Sequence, residues 1–434
     1  MIGTGLRFGY GTNGFANHRL EDALTIIAEL GYEGVALTLD HHHLDPFAAD
    51  LPARVARVAK RLAELRLGVV IETGARYLLN PRHKHAPTLL DDDSDARLDF
   101  LKRAIDIAAD LNAEAMSFWA GVRPPHVSPD EAWQRLVRGC AQVAAHADNA
   151  GVPLGFEPEP GMLVENFEQW DRLRGEVGET LRLTLDIGHC RANELEEVAE
   201  CVRRAGPHLV NVQIDDMRRG VHEHLEFGAG EIDFPPVLHS LAQTGYTGLV
   251  AVELPRHSHA APDVAARSLN FLRVSQWLGE ARAAGEGNLA TELAAAGRKV
   301  GRANAEMARI RLLQSFQLSP QQVSDLYRYG DNEEKRAILR ACPVPDLLRD
   351  ALRSNDSRLV AAALGPAAAQ LTDAEWRQAV LKAVFMGLQL AQVHGLNERA
   401  DAELGRMLDG LRKEREAAGR IMPADAISLL ERLR

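Results

Sequence analysis

The sequence predicts an α/β protein in which an eight-fold (β/α)8 barrel is followed by an all-α helical domain. Three observations lead there. Between residue 5 and about residue 280, short apolar, β-rich runs alternate with amphipathic helical stretches, and eight such pairs can be counted. The first loop reads GYGTNGFAN, without the GxGxxG phosphate cradle expected of an open doubly wound sheet. Past residue 280 the composition turns to Ala, Arg, Glu and Leu and no further β-branched run occurs. We place the barrel at 1–282, a helical linker at 283–318 and a second domain at 319–434.

The strand candidates in order are LRFGYG (6–11), GVALTL (34–39), GVVIET (68–73), AMSFWA (115–120), PLGFEPE (153–159), LRLTLD (181–186), HLVNVQI (208–214) and GLVAVEL (248–254). Between them, apolar residues recur at helical spacing, as in Leu20, Leu24, Ile27 and Leu30 or Ala104, Ile107, Ala108 and Leu111. Several helices should stop at a glycine that takes the left-handed turn, in AELGYEG, AELRLG, DNAGVP and AQTGYTG. In the helical region, starts are expected at Ser319-Pro320, at the Thr372 to Glu375 capping box and at Pro423-Ala424. Stops are expected at Gly365-Pro366 and Gly395.

Of the 434 residues, 46% are hydrophobic and 26% charged, which suits a soluble globular chain. A formal charge of −11 disfavours a protein built to neutralise nucleic-acid phosphates, so no nucleic-acid partner is expected. The four cysteines form no CxxC pair, which fits a reducing, cytoplasmic setting. No export signal and no run long enough to insert directly into a membrane is legible.

Active sites of such barrels are built at the C-terminal ends of the strands. Four consecutive strands end in groups able to hold a metal: Glu157 and Glu159 on the fifth, Asp186 on the sixth, Gln213 on the seventh and Glu253 on the eighth. A carboxylate among apolar neighbours, as Glu253 is in LVAVELP, is costly to bury as an anion unless a cation or a donor meets it. Pairing with arginine or a backbone amide would satisfy any one of these alone, whereas one divalent ion would satisfy several together. His189, three residues after Asp186, can reach the same mouth or cap a helix. The segment QIDDMRRGVHEHLEFGAGEIDF concentrates acids, arginines, His222 and His224 in one loop.

FEPEPG, LTLDIGH, NVQIDD with HLEFGAGEIDF, and VAVEL together resemble the xylose-isomerase-like TIM-barrel superfamily of sugar and sugar-phosphate isomerases, epimerases and endonuclease-IV-type enzymes. The resemblance implies that Glu157, Asp186, Gln213 and Glu253 hold one divalent metal ion, with Glu157 and Glu253 as the catalytic pair that removes and returns a carbon-bound proton. It implies His189, His224 and Arg219 as substrate-binding groups. The third ligand departs from the superfamily's histidine: Gln213 offers only an amide oxygen, so the all-oxygen set favours Mn²⁺ or Mg²⁺, with Zn²⁺ or Co²⁺ as alternatives. The substrate class implied is a small polyhydroxylated molecule: a sugar, sugar phosphate or cyclitol-like keto compound. A non-catalytic protein that binds or hands over a polyol is the rival reading. An endonuclease-like phosphodiesterase is a third: His222 and His224 resemble that branch's paired ligands, but strand four ends in SFWAGV without a histidine, strand three gives Glu72 and strand seven Gln213.

Two loops flank the expected mouth. DHHHLDP carries His41, His42 and His43, equally consistent with an exposed turn. TGARYLLNPRHKHAPTL is long enough for a lid, and Lys84 and His85 within it are assigned to substrate binding. Trp119 could wall the pocket or plug the core. LYRYGDNEEKRAILRACP, ALRSNDSRLVAAALGP and WRQAVLKAVFMGLQL resemble an EboA domain. Read from residues alone, Asn355, Asp356 and Arg358 are capping and pairing groups, and Val380, Leu381, Val384, Phe385 and Leu388 form an apolar face. A module for a protein partner or homo-oligomer is the functional reading of this region, and a structural appendage its alternative.

Overall fold

The computed structural model describes residues 5–434. Its strands are β1 (Arg7–Gly11), β2 (Gly34–Thr38), β3 (Gly68–Glu72), β4 (Met116–Trp119), β5 (Leu154–Glu157), β6 (Leu181–Asp186), β7 (Leu209–Ile214), β8 (Asp216–Arg218), β9 (Val221–Leu225) and β10 (Leu249–Val252). Eight of them close a parallel barrel in the order β1-β10-β7-β6-β5-β4-β3-β2. Helices cover the outside, so strands such as β2, β5 and β7 are buried along their whole length.

The first glycine stop holds where a left-handed residue is needed: Gly31 caps the helix Leu20–Leu30 at φ 92. In AELRLG the left-handed residue is Arg66 (φ 55), not the glycine. Gly68 instead begins β3, where a Cβ would run into the Arg7 and Glu114 side chains of an ion pair.

β8 and β9 form an antiparallel hairpin that the sequence reading leaves as loop. Its turn uses Gly220 at φ 69. The Asp216 carboxylate accepts the backbone N–H groups of Gly228, Gly230 and Ile232 and folds the glycine-rich return against the hairpin.

The chain divides into a first unit ending at Gly279 and a second, Glu280–Arg434. The second unit is helical throughout. The helices Leu289–Lys299 and Arg302–Gln314, within the stretch read as a linker, belong to this unit. The physical reason is packing: Glu306 pairs with both Arg336 and Arg340, and the buried Arg309 Nε donates to the Leu293 carbonyl at 2.8 Å. Capping boxes form at Ser319/Gln322 and Thr372/Glu375. The helix Asp373–Met386 ends at Gly387, before the stop expected at Gly395, and Gly395 precedes a further short helix, Leu396–Arg399. On the expected apolar face Val380 and Val384 are buried but Phe385 is 59% exposed, because it lies round the side of that helix.

Candidate metal centre and active site

Glu157 closes β5, Asp186 closes β6, and Gln213 on β7 lies in register with Asp186. Glu253 is the residue after β10. Their four strands are consecutive in the barrel, so the side chains converge on one side of its mouth. Ligand oxygens of Glu157, Asp186 and Glu253 lie within 4.8 Å of one another. Asp186 Oδ1 accepts the His189 backbone N–H at 2.9 Å, which caps the helix Ile187–Asn193 and leaves Oδ2 buried without a partner. The Gln213 Oε1 is likewise buried and unpartnered. Burial, and then the charges of the neighbouring carboxylates, raise the Glu157 pKa well above the usual range, and burial raises that of Glu253. Crowded buried carboxyls beside unpartnered oxygens are what a divalent ion resolves, so the donor set fits one.

His189 is buried against this group, with Nδ1 3.1 Å from the Pro158 carbonyl and 3.6 Å from a Glu157 oxygen. Its Nε2 has no hydrogen-bond partner. Burial lowers its pKa to about 4, which leaves a neutral ring. Gly188 permits the close approach behind it, since a Cβ there would meet the Asp215 carboxylate. His224 pairs through Nδ1 with Asp215. Burial opposes charge on that ring, yet the Asp215 carboxylate outweighs it and lifts the pKa to about 10.

The structure gathers at the site His222, His224 and Glu159, which the sequence reading names, and adds Asn13 and Asn211, which it does not. His222 and His224 alternate on β9 and so share a face, and ring nitrogens of His189, His222 and His224 come within 4.8 Å of one another. Recognition of the hairpin would have paired them. Glu159 groups with Glu157 and His189 in the same way. Burial, then the Glu253 charge, raises its pKa to about 8. Asn13 donates to Glu253, and Asn211 donates to Glu72 inside the barrel.

Of the remaining substrate-binding assignments, His85 sits on the mouth with Nδ1 against the Gly74 carbonyl and its ring edge-on to Trp119 at 5.5 Å. Lys84 is exposed, and its charge acts on Glu159 and His222. The structure does not bring Arg219 to the carboxylates: it lies on the exposed hairpin turn, where its guanidinium is taken by the Glu194 carbonyl. Trp119 is buried, with the Arg97 guanidinium 4.2 Å from its ring. In the loop after β2, Asp40 accepts from His41 at 2.7 Å and draws Arg76 to 4.0 Å.

A family model described as the xylose isomerase-like TIM barrel matches residues 24–274. The chain belongs to this family. A second, described as metabolite traffic protein EboA, matches residues 302–431, so an EboA domain follows the xylose isomerase-like barrel. Rhizopine catabolism protein MocC of Rhizobium meliloti is 29% identical over 244 residues, covering 50% of this chain and 70% of that protein. Fructoselysine 3-epimerase of Shigella flexneri is 26% identical over 261 residues, covering 57% and 90%. Among solved structures, an L-ribulose 3-epimerase matches with a TM-score of 0.52 at 21% identity, over 64% of this chain and 97% of that one. A D-allulose 3-epimerase from Methylomonas sp. matches at 0.51 and 19%, over 62% and 98%. These structural likenesses carry the barrel fold. Among the described residues no helix is long and apolar enough to cross a membrane.

Proposed function

We propose that the barrel is a divalent-metal-dependent isomerase or epimerase of a small sugar, sugar phosphate or cyclitol-like keto compound. The observation that carries this is the convergence of Glu157, Asp186 and Glu253 within ligand distance at neighbouring strand ends. The family, together with relatives named as sugar 3-epimerases, supports the substrate class.

Glu157, Asp186, Gln213 and Glu253 would hold the ion, with Mn²⁺ or Mg²⁺ favoured by the all-oxygen set. The ion, when bound, stabilises negative charge developing on a carbonyl and its neighbouring hydroxyl. Glu157 and Glu253 stand on the two sides of the Asp186 and Gln213 strand ends. One removes the carbon-bound proton and the other returns a proton to the opposite face. Asn13 holds Oε1 of Glu253, so that carboxylate keeps a fixed orientation. The neutral His189 and the charged His224 are placed to orient substrate hydroxyls, and Lys84 to meet an anionic end group. The four free cysteines support a cytoplasmic setting.

A polyol-binding or hand-over protein is the second reading, favoured by the neutral Gln213 in the ligand set and by the description of the EboA family as metabolite traffic proteins. In that reading the helical domain supplies a protein or self-association surface. Metal content of untagged protein and solvent-deuterium exchange into candidate ketoses separate the two. A bound ion with exchange that is lost in Glu157→Gln and Glu253→Gln supports the epimerase. A bound ion with no exchange across the sugar panel favours the binding protein. Several zinc ions per chain would turn attention to the phosphodiesterase reading, for which the His189, His222 and His224 group is the supporting feature.

A further inference from the structure

The segment after β3 runs from Glu72 to the helix Ser94–Asp110. Within it the His85 N–H donates to the Arg76 carbonyl at 2.6 Å, so residues 76–85 close on themselves as a compact loop with Arg76 and His85 at its neck. Ala75, Arg76 and His85 all have positive φ, at 56, 27 and 65. Residues with a Cβ disfavour this region, and they stay there only where surrounding contacts hold them. Ala75 is held by burial, and His85 by the Gly74 carbonyl on its Nδ1 and by Trp119 against its ring.

Arg76 is held by contacts outside its own loop. Its Nη2 donates to the Asn13 carbonyl at 3.0 Å, and its Nε lies 4.0 Å from the buried Asp40 carboxylate in the loop after β2. Asn13 Nδ2 donates in turn to Glu253 Oε1 at 2.8 Å. A carbonyl oxygen has two lone pairs. Ser258 donates to the same Asn13 oxygen at 3.2 Å and ties the turn after β1 to the segment that follows Glu253. Arg76 ties that turn to the loop carrying Lys84 and His85. Asn13 is thus the joint between this loop and one of the two carboxylates assigned to proton transfer.

We propose that Arg76 is a positioning residue of the active site: with residues 76–85 seated, its guanidinium holds the Asn13 turn and thereby keeps the Asn13 amide on Glu253. The inference rests on the metal-site and proton-transfer reading of Glu253 given above. Arg76 acts through Asn13 and is not itself a catalytic group. A ligand that engages Lys84 or His85 stabilises the seated loop, and the same contact then sets the orientation of Glu253.

The test is hydrogen–deuterium exchange by mass spectrometry on the full chain, read over residues 12–16 and 74–87, together with the visible spectrum of the Co²⁺-loaded protein. Arg76→Met and Arg76→Gln both take the donor away from the Asn13 carbonyl, one with an apolar and the other with a polar side chain. Arg76→Lys keeps a cation able to donate to that carbonyl. Asn13→Ala supplies the reference spectrum for a Glu253 that has lost its donor. Arg76→Met and Arg76→Gln are expected to speed deuterium uptake by about tenfold over both segments, as loss of one charge-assisted hydrogen bond does. Their Co²⁺ spectra are expected to shift in the same direction as that of Asn13→Ala, and Arg76→Lys is expected to restore the wild-type spectrum. A melting temperature near that of wild type shows which variants keep the fold. Wild-type uptake over 12–16 in a folded Met or Gln variant overturns the proposal, even if uptake over 74–87 rises. A wild-type Co²⁺ spectrum in that variant overturns it too, and either result leaves the metal site standing. Wild-type protein that binds no Co²⁺ overturns the metal-site reading and this proposal together.

Discussion

The Asn13 side chain donates from Nδ2 to Oε1 of Glu253 at 2.8 Å, joining the turn after β1 to the residue after β10 across the seam where the barrel closes. The turn is held in place because the Asn13 carbonyl accepts from Arg76 at 3.0 Å and from Ser258 at 3.2 Å. One of the two proposed proton-transfer groups is thus oriented by a residue 240 positions away in sequence. Loss of a hydrogen bond to a charged acceptor typically costs about 1.5–3 kcal/mol. Asn13→Ala should therefore slow solvent-proton exchange by about 10- to 100-fold, with a smaller change in Mn²⁺ affinity. An unchanged exchange rate would remove Asn13 from the mechanism.

Gly11 lies beneath this contact, and a Cβ added there would come within 2.7 Å of Asn13 Oδ1. Gly11→Ala should displace the Asn13 side chain and reproduce the exchange defect of Asn13→Ala. The double variant should be no slower than either single one, since both remove the same contact.

Replacing Gln213 by histidine exchanges a neutral amide oxygen for an imidazole nitrogen, a better donor to transition metals. Zn²⁺ and Co²⁺ binding should tighten by roughly tenfold or more relative to Mn²⁺, read as the ratio of dissociation constants in wild type and Gln213→His. A ratio that does not move would mean that position 213 does not ligate.

Metal binding should strengthen as the pH rises. Burial raises the pKa of Glu157 and Glu253, and that of Glu159 beside them to about 8, so the ion-free site holds protons that the ion must displace. The sign follows: fewer protons to displace at higher pH means tighter binding. Calorimetry from about pH 6 to about pH 9 should show apparent Mn²⁺ affinity rising, with heats that vary with buffer ionisation enthalpy because protons are released. A flat profile would contradict this electrostatic account of the site.

In the helical unit Asp356 caps the helix Ser357–Ala363, pairs with Arg358 and accepts from Asn332. The Arg358 hydrogen bond is the main cause that holds its pKa down at about 2. A folded-state pKa below the ordinary value stabilises the fold above that value, and the contribution disappears as pH falls through the lower one. Asp356→Ala should lower stability by about 1 kcal/mol near neutrality. The gap in melting temperature between wild type and variant should close as the pH is taken from about 4 down to about 2. A gap that persists at the acid end would show that the charge is not what matters.

The order of elements was legible in the sequence because local patterns report it directly. Alternating β-rich and amphipathic runs fix parallel strands joined by helices, and the Thr372 and Ser319 caps are chemical signals contained within four residues. Glu157, Asp186, Gln213 and Glu253 could be singled out because each ends an apolar run, where an acidic or amide group needs a reason to be. Arg66 in place of a glycine and the exposed face of Phe385 were not legible, because close packing overrides local preference at such positions. The β8–β9 hairpin that pairs His222 with His224 is organised by Asp216 accepting three amides from a distant return loop, a contact with no local signature. Asn13 reaching Glu253 and Glu72 reaching Asn211 depend on barrel closure, which sets strands far apart in sequence at fixed positions round one axis. Sequence by itself determined which residue types end which strands. Only the closed barrel decided which of them meet, because radial position is a property of the whole ring and of no single strand.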